Sequence, residues 1–330
     1  MRAQEELLMR LALKRRRKLD NLSDEAFGEL ELAVRENPQS FIDDPQEQAF
    51  FMVAQALARY DEACREEDLY DDEAYLQSRR KRFDVLKRAC EQALEIDDAC
   101  IDAAVLALLS TDEALDDLLG DLLDLEARML EEQGSVNVPA SGDAWADVFL
   151  RPRLRLQMNI ARTCLNTARY RMARDRCCDL LTKAPLDAMG ARFTCSLAMA
   201  RLEDEEGFLW LDSHESQRGS HGNAWFHLSR AILMYKLSRT AAARRALTGF
   251  DRLCVGGAYL LLQPMYVDTY MPERPEFAPG TFQETVLAVH EADPVIADVP
   301  DFVNWAYWQP GISDSAHDYC DRNGLEWRDW

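Results

Sequence analysis

Four alanines constrain this chain more than any other feature. Ala161 and Ala173 stand twelve residues apart, and so do Ala231 and Ala243. Each pair sits within two short amphipathic segments joined by a tight turn, "NTARYRMA" and "KLSRTAAA". Antiparallel helices approach closely only where the side chains between them are small, so this spacing predicts helical hairpins. The rest of the chain agrees. Its 330 residues hold only 14 glycines and 12 prolines, so helices can run with few breaks. No segment keeps the strict alternation of a half-buried strand. "GGAYLLLQPMYV" is the one short apolar run for which an extended strand competes; Pro264 breaks it, and it reads as helix then loop.

The expected fold is therefore all-α: a right-handed superhelical solenoid of antiparallel helical hairpins. Residues 1–133 read as irregular hairpins. Ser23 is the expected cap of a helix that stops at Asn37-Pro38. A further helix opens at Pro45, another carries Phe83, Leu86, Cys90 and Ala93, and a third is expected from Thr111-Asp112-Glu113. "GSVNVPASGD", residues 134–143, is the clearest composition break and reads as a linker loop. Repeats are expected over 144–270, with helices near 143–150, 152–169, 171–184, 188–204, 206–213, 223–237 and 239–253. A helical, tryptophan-rich capping segment follows over 271–330, with a helix near 282–293. One continuous solenoid is the expectation.

The turn "RCCDLLTKAPLDAMGAR" raises a question of chemistry, because two adjacent cysteines suggest a metal or redox site. Neighbouring residues on a helix point about 100° apart, so both cannot face one metal. Cys177 falls inside the apolar stripe of Ala173, Leu180, Leu181 and Ala184, with Cys178 at its edge. Pro185 stops the helix, Asp187 is placed to cap the next, and Gly190 permits a close start. On the tetratricopeptide pattern, Ile160, Ala161, Ala173, Cys177 and Pro185 fall on anchor positions. The stretch "LRPRLRLQMNIARTCLNTARYRMARDRCCDLLTKAPLDAMGARF", with the tail "YLLLQPMYV…APGTFQETVLAVHEADPVIADVPDFVNWA", resembles the tetratricopeptide-like suppressor-of-tumorigenicity-seven family and its bacterial relatives. The resemblance spans about residues 85–310. It departs at the turn, where Ala184-Pro185-Leu186-Asp187 replaces the family's Asn-Pro-Asn-Asp. It implies a helical scaffold with a protein-interaction role and transfers no catalytic residue.

Composition narrows the function. A net charge of −21 repels phosphate backbones, which argues against nucleic-acid binding. No apolar run is long enough for a membrane span. The N-terminal "MRAQEELLMRLALKRRRKLD" breaks its apolar part with Glu5 and Glu6, unlike a secretory signal. Its basic run, Lys14 to Lys18, reads as a solvated helix end or a clamp on the acidic body of the same protein, with a contact to a membrane, a nucleic acid or an acidic partner as the competing role. The nine cysteines, odd in number and without a CxxC pair, suit buried thiols in a cytoplasmic protein.

Within this acidic chain, residues 151–192 reverse the balance: ten Arg or Lys against three Asp. The repeat register puts Arg155, Arg162 and Asn166 on an inner helix, and Arg192 at the start of the next. These four are the candidate lining of a basic concave groove for a peptide or protein partner bearing carboxylates. Internal neutralisation by acidic neighbours is the competing account. His214, His221 and His227, spaced by seven and six, match no metal-binding pattern, and no metal or cofactor is expected. The carboxylates are spread over helix faces and nominate no acid–base pair. The aromatic C-terminus (Trp305, Tyr307, Trp308, Tyr319, Trp327 and Trp330) reads as an end cap, with an interface as the competing role. The expectation is a non-catalytic scaffold or adaptor; the alternative is a small-molecule sensor or enzyme with a pocket inside the superhelix.

Overall fold

A computed structural model describes residues 3–19, 22–66, 72–136, 142–217, 223–268 and 270–328. His221, Trp330, the centre of the expected linker (137–141) and residues 67–71 of the polar stretch before Ala74 lie outside them. Among the described residues the protein is all-helical, with sixteen α-helices, two short 3-10 turns and no strand. No helix among them is long and apolar enough to cross a membrane. The chain divides into two compact units, 1–159 and 160–330. The division falls inside a helix rather than at residues 134–143.

The first unit holds α1 (Ala3–Lys18), α2 (Asp24–Glu36), α3 (Pro45–Glu66), α4 (Asp72–Ile96), α5 (Ile101–Leu109), α6 (Leu115–Gln133) and the first half of α7 (Arg151–Asn166). α2 begins as expected, with the Ser23 hydroxyl accepting from Ala26 N at 3.2 Å, and ends before Pro38. The sequence reading missed α5. Thr111 does not open α6: its hydroxyl donates to the Leu108 carbonyl at 2.7 Å and closes α5, and α6 starts at Leu115. The helix expected near 143–150 is a 3-10 turn, Ala144–Ala146, capped where the Asp143 carboxylate accepts from Trp145 N at 2.8 Å. Leu7, Leu11 and Ala12 of α1 pack with Val34, Phe50 and Ala54, so the N-terminal helix belongs to the core.

The basic run of α1 is a clamp. Lys14 pairs with Asp44 and Glu47, Arg15 and Lys18 with Asp43, and Arg16 with Asp24. The Arg17 guanidinium lies 4.4 Å from the Phe149 ring centroid. Deeper in, Arg155 is 4 % exposed. Its Nε and Nη2 donate to the Asp102 carboxylate of α5 at 2.8 and 2.7 Å, and its Nη1 and Nη2 to Glu6 of α1 at 2.9 Å each. Arg151 reaches the same Glu6 at 3.5 Å, and Arg153 Nη2 donates to the Gly134 carbonyl. These bonds fasten the first half of α7 to the first unit, which is why the unit boundary passes through the helix.

The second unit holds the end of α7, then α8 (Tyr170–Lys183), α9 (Ala191–Leu202), α10 (Glu205–Gln217), α11 (Ala224–Lys236), α12 (Thr240–Leu253), α13 (Gly257–Leu262), α14 (Phe282–Ala297), α15 (Phe302–Tyr307) and α16 (Ile312–Asn323). Its geometry recurs. Three helix pairs are joined by a single left-handed residue, at Ala168, Glu203 and Ser238, each 35 residues after the last. Each turn closes with the same bond, from Arg169 N to Cys164 O, Asp204 N to Met199 O and Arg239 N to Met234 O, at 2.8 to 3.0 Å. α9, α11 and α13 start at 191, 224 and 257, 33 residues apart. Ala161, Ser196 and Ala231 share one register and Ala173, Phe208 and Ala243 another; all six are fully buried. The middle pair carries Ser and Phe, which is why the twelve-residue alanine signal skips it. α8 packs on α9, α9 on α11, and α11 on α12, while α14 packs on both α9 and α11. The segment from 271 onward is thus integral to this unit.

Burial alone pushes the Glu6 carboxyl up, but Arg155, with Arg151 and Arg10, more than reverses this and holds it below the usual carboxylate range. A depressed folded-state pKa adds stability above the unfolded value of 4.5, and that stability is lost as pH falls through the folded value. Arg155→Met leaves buried Asp102 without its cation and Glu6 with only the longer contact to Arg151, and is expected to cost about 3–5 kcal/mol. Adding Glu6→Gln and Asp102→Asn is expected to recover much of that loss. Urea unfolding of the three proteins at neutral pH checks both statements; equal midpoints for Arg155→Met and wild type refute them.

Candidate functional site

A connected set of polar side chains in the second unit surrounds the turn between α8 and α9. Asp187 adopts the left-handed conformation there. Its carboxylate accepts from the backbone of Ala191 at 2.7 Å and Arg192 at 3.2 Å, so it caps α9 as the sequence suggests. It also accepts from Arg192 Nη1 at 2.7 Å. Gly190 follows at φ +68°, and a Cβ there would lie 2.4 Å from Nη1 of Arg274.

Arg274 sits on the strap between α13 and α14 and reaches into the turn. Its Nη1 donates to the carbonyls of Met189 (3.0 Å) and Gly190 (2.6 Å), its Nη2 to Thr194 Oγ1 (3.0 Å), and its Nε to Glu291 of α14 (2.9 Å). Glu291 also accepts from Trp225 Nε1 at 2.7 Å and from the Tyr270 hydroxyl. Burial alone pushes the Glu291 carboxyl up, but Arg274 and the Tyr270 hydrogen bond outweigh it and hold it below the ordinary range. Burial, with Glu291 close by, pushes Tyr270 up to about 12. These bonds hold the strap against α9, α11 and α14.

Beside this lattice lies a cleft of about 420 Å³. Phe193 and Trp225 line it, stacked with ring centroids 4.4 Å apart. Leu186, 76 % exposed, and Phe277, 41 % exposed, also line it, together with Asp187 and Arg192. The described lining residues include no serine, cysteine, histidine or lysine. What the walls offer is aromatic and aliphatic surface with the partly exposed guanidinium of Arg192 and the carboxylates of Asp187, Glu276 and Glu284. No family model, curated protein or solved structure matches this chain.

The four groove candidates go to different places. Arg155 is buried in the first unit with both edges of its guanidinium taken by Glu6 and Asp102, so it leaves the set. Arg162 lies 4.5 Å over the Tyr270 ring. Asn166 is exposed at the end of α7. Arg192 alone reaches the cleft. Leu186, Phe193, Trp225 and Phe277 are not among the candidates that the sequence nominates for the groove. The available signal was Leu186, an aliphatic residue in the Ala-Pro-Leu-Asp turn where a polar one is usual. His214 is bonded through Nδ1 to the Trp210 carbonyl at 2.8 Å, and no group of three metal-ligating side chains forms among the described residues. Cys177 is fully buried and Cys178 half-buried, as core packing requires.

Gly190→Ala adds left-handed strain of about 1–2 kcal/mol and drives a methyl into Arg274. A measurable fall in thermal stability is expected. Gly249→Ala in α12 meets nothing within 4 Å and is expected to be neutral or stabilising. Thermal melts of both variants decide; equal stability would show that the strap does not depend on the close approach at Gly190.

Proposed function

We propose that the protein is a non-catalytic, tetratricopeptide-like interaction scaffold of the cytoplasm. Its partner site is the cleft beside the α8–α9 turn, which takes a large apolar side chain from a peptide or protein. The observation that carries this is Leu186: a leucine 76 % exposed at a rigid turn, beside a cleft lined by stacked aromatic rings. Covering such a side chain contributes about 1.5–3 kcal/mol, and exposed apolar residues lining a concavity are a common mark of a contact site. The repeat reading is supported by the three like turns at 35-residue intervals and by pairing of chain neighbours, α8 on α9 and α11 on α12. The nine cysteines stand as thiols, which suits a reducing compartment.

The acidic-partner reading now rests mainly on Arg192, where a partner carboxylate would share the guanidinium with Asp187. Apolar anchoring is therefore the stronger part of the proposal. A small ligand in the same cleft is the alternative.

Affinity capture from the source cells tests this with wild type, Leu186→Glu and Phe277→Glu, each shown to be folded by circular dichroism. A specific partner held by wild type and lost by both variants is the expected result. Retention by both variants overturns the cleft assignment, and the absence of any specific partner favours the small-ligand alternative.

A further inference from the structure

A second concavity lies at the C-terminal end of the same unit and shares no lining residue with the cleft. Its volume is about 560 Å³. Leu261 and Leu262 at the end of α13, Val289 and Ile296 of α14, and Val303 of α15 supply aliphatic lining. Tyr307 and Trp327 add aromatic rings. The wall that carries Trp327 is built in place: Gln263 Nε2 donates to the Arg328 carbonyl at 2.8 Å, Arg328 N donates back to Gln263 Oε1 at 3.3 Å, and the Trp327 ring stacks on His317 at 3.8 Å. Apolar side chains next in sequence to the lining residues stay in solvent. Trp308 is 73 % exposed and packs edge-on against Tyr307, and Met265 and Tyr266 are 40 % and 66 % exposed. Aromatic residues with methionine, around an aliphatic groove, are the composition of an interface core.

We propose that this groove receives a basic amphipathic helix from a partner protein. Charge decides the occupant. In the lining itself Asp293 and Arg328 balance, but from Asp293 to Arg328 the chain carries seven carboxylates and two arginines, and the whole chain is at −21, so the surroundings of the groove are acidic. A second copy brings the same excess of negative charge and is repelled, whereas a partner with lysine or arginine flanking its apolar face is attracted. The described residues hold no strand, so an added strand has no edge to pair with. The lining is mainly aliphatic and lies between helices, which suits the apolar face of a helix laid between α13, α14 and α15. The surface stands independently of what fills the cleft at the α8–α9 turn.

The probe is a fluorescein-labelled synthetic peptide of about eighteen residues, with leucines at i, i+3, i+4 and i+7 and lysines elsewhere. A scrambled peptide of the same composition keeps the charge and removes the apolar face. Fluorescence anisotropy of the full chain is read with wild type, Trp308→Ala and Val303→Glu. Trp308 is largely exposed, so its replacement leaves the fold intact even if Val303→Glu does not fold. The expected result is micromolar binding of the amphipathic peptide, weaker binding of the scrambled one, and a loss of about tenfold or more in Trp308→Ala. Equal binding of the two peptides, or unchanged binding by Trp308→Ala, overturns the proposal. So does sedimentation of wild type as a dimer that Trp308→Ala dissociates, because the occupant is then a second copy.

Discussion

Arg155 is held from both sides by carboxylates 149 and 53 residues away in sequence. A protein built only of helices satisfies its backbone hydrogen bonds within each element, so side chains alone must fix how the elements meet. Apolar packing does most of this in the first unit, and it is non-directional. The double fork at Arg155 adds direction: it admits one mutual placement of α1, α5 and α7. Removing water from three charges is costly, and the arrangement persists because each carboxylate accepts two bonds from the guanidinium.

The second unit uses the same device at Arg274. There a guanidinium links two backbone carbonyls of one turn, the hydroxyl of Thr194 and the carboxylate of Glu291. In both places an arginine does what lysine cannot, since only a planar fork reaches several acceptors at fixed angles. The local excess of basic residues over 151–192 thereby changes meaning. Arg155 and Arg192 are paired with carboxylates and Arg162 covers a tyrosine ring, so the three candidate arginines of the groove are engaged within the protein. Apolar side chains left in solvent, Leu186 and Phe277 at one cleft and Trp308 packed against Tyr307 of the other, carry the functional reading instead.

Much of the helical pattern was legible because it depends on local chemistry. Ser23, Asn37-Pro38 and Asp187 act at the helix ends where their side chains suggest. The alanines at 231 and 243 mark the packed pair α11 and α12, and those at 161 and 173 are fully buried on either side of the like turn at Ala168. The middle hairpin escaped because Ser196 and Phe208 occupy the same register, and the recurring left-handed turns escaped because Ala168, Glu203 and Ser238 are not glycines. Thr111 misled because a hydroxyl serves the end of one helix as readily as the start of the next.

The sequence by itself determined an all-helical protein and the burial of Cys177, and it offered an internal clamp as one account of the basic run on α1. Each follows from periodicity or from charge balance, which neighbours along the chain already express. Only the tertiary structure decided which arginines are spent internally, where the units divide, and which apolar side chains stay in solvent. Those outcomes depend on partners such as Glu6 with Arg155 and Glu291 with Arg274. Partners so distant in sequence leave no spacing to read, because they meet only once the helices have packed.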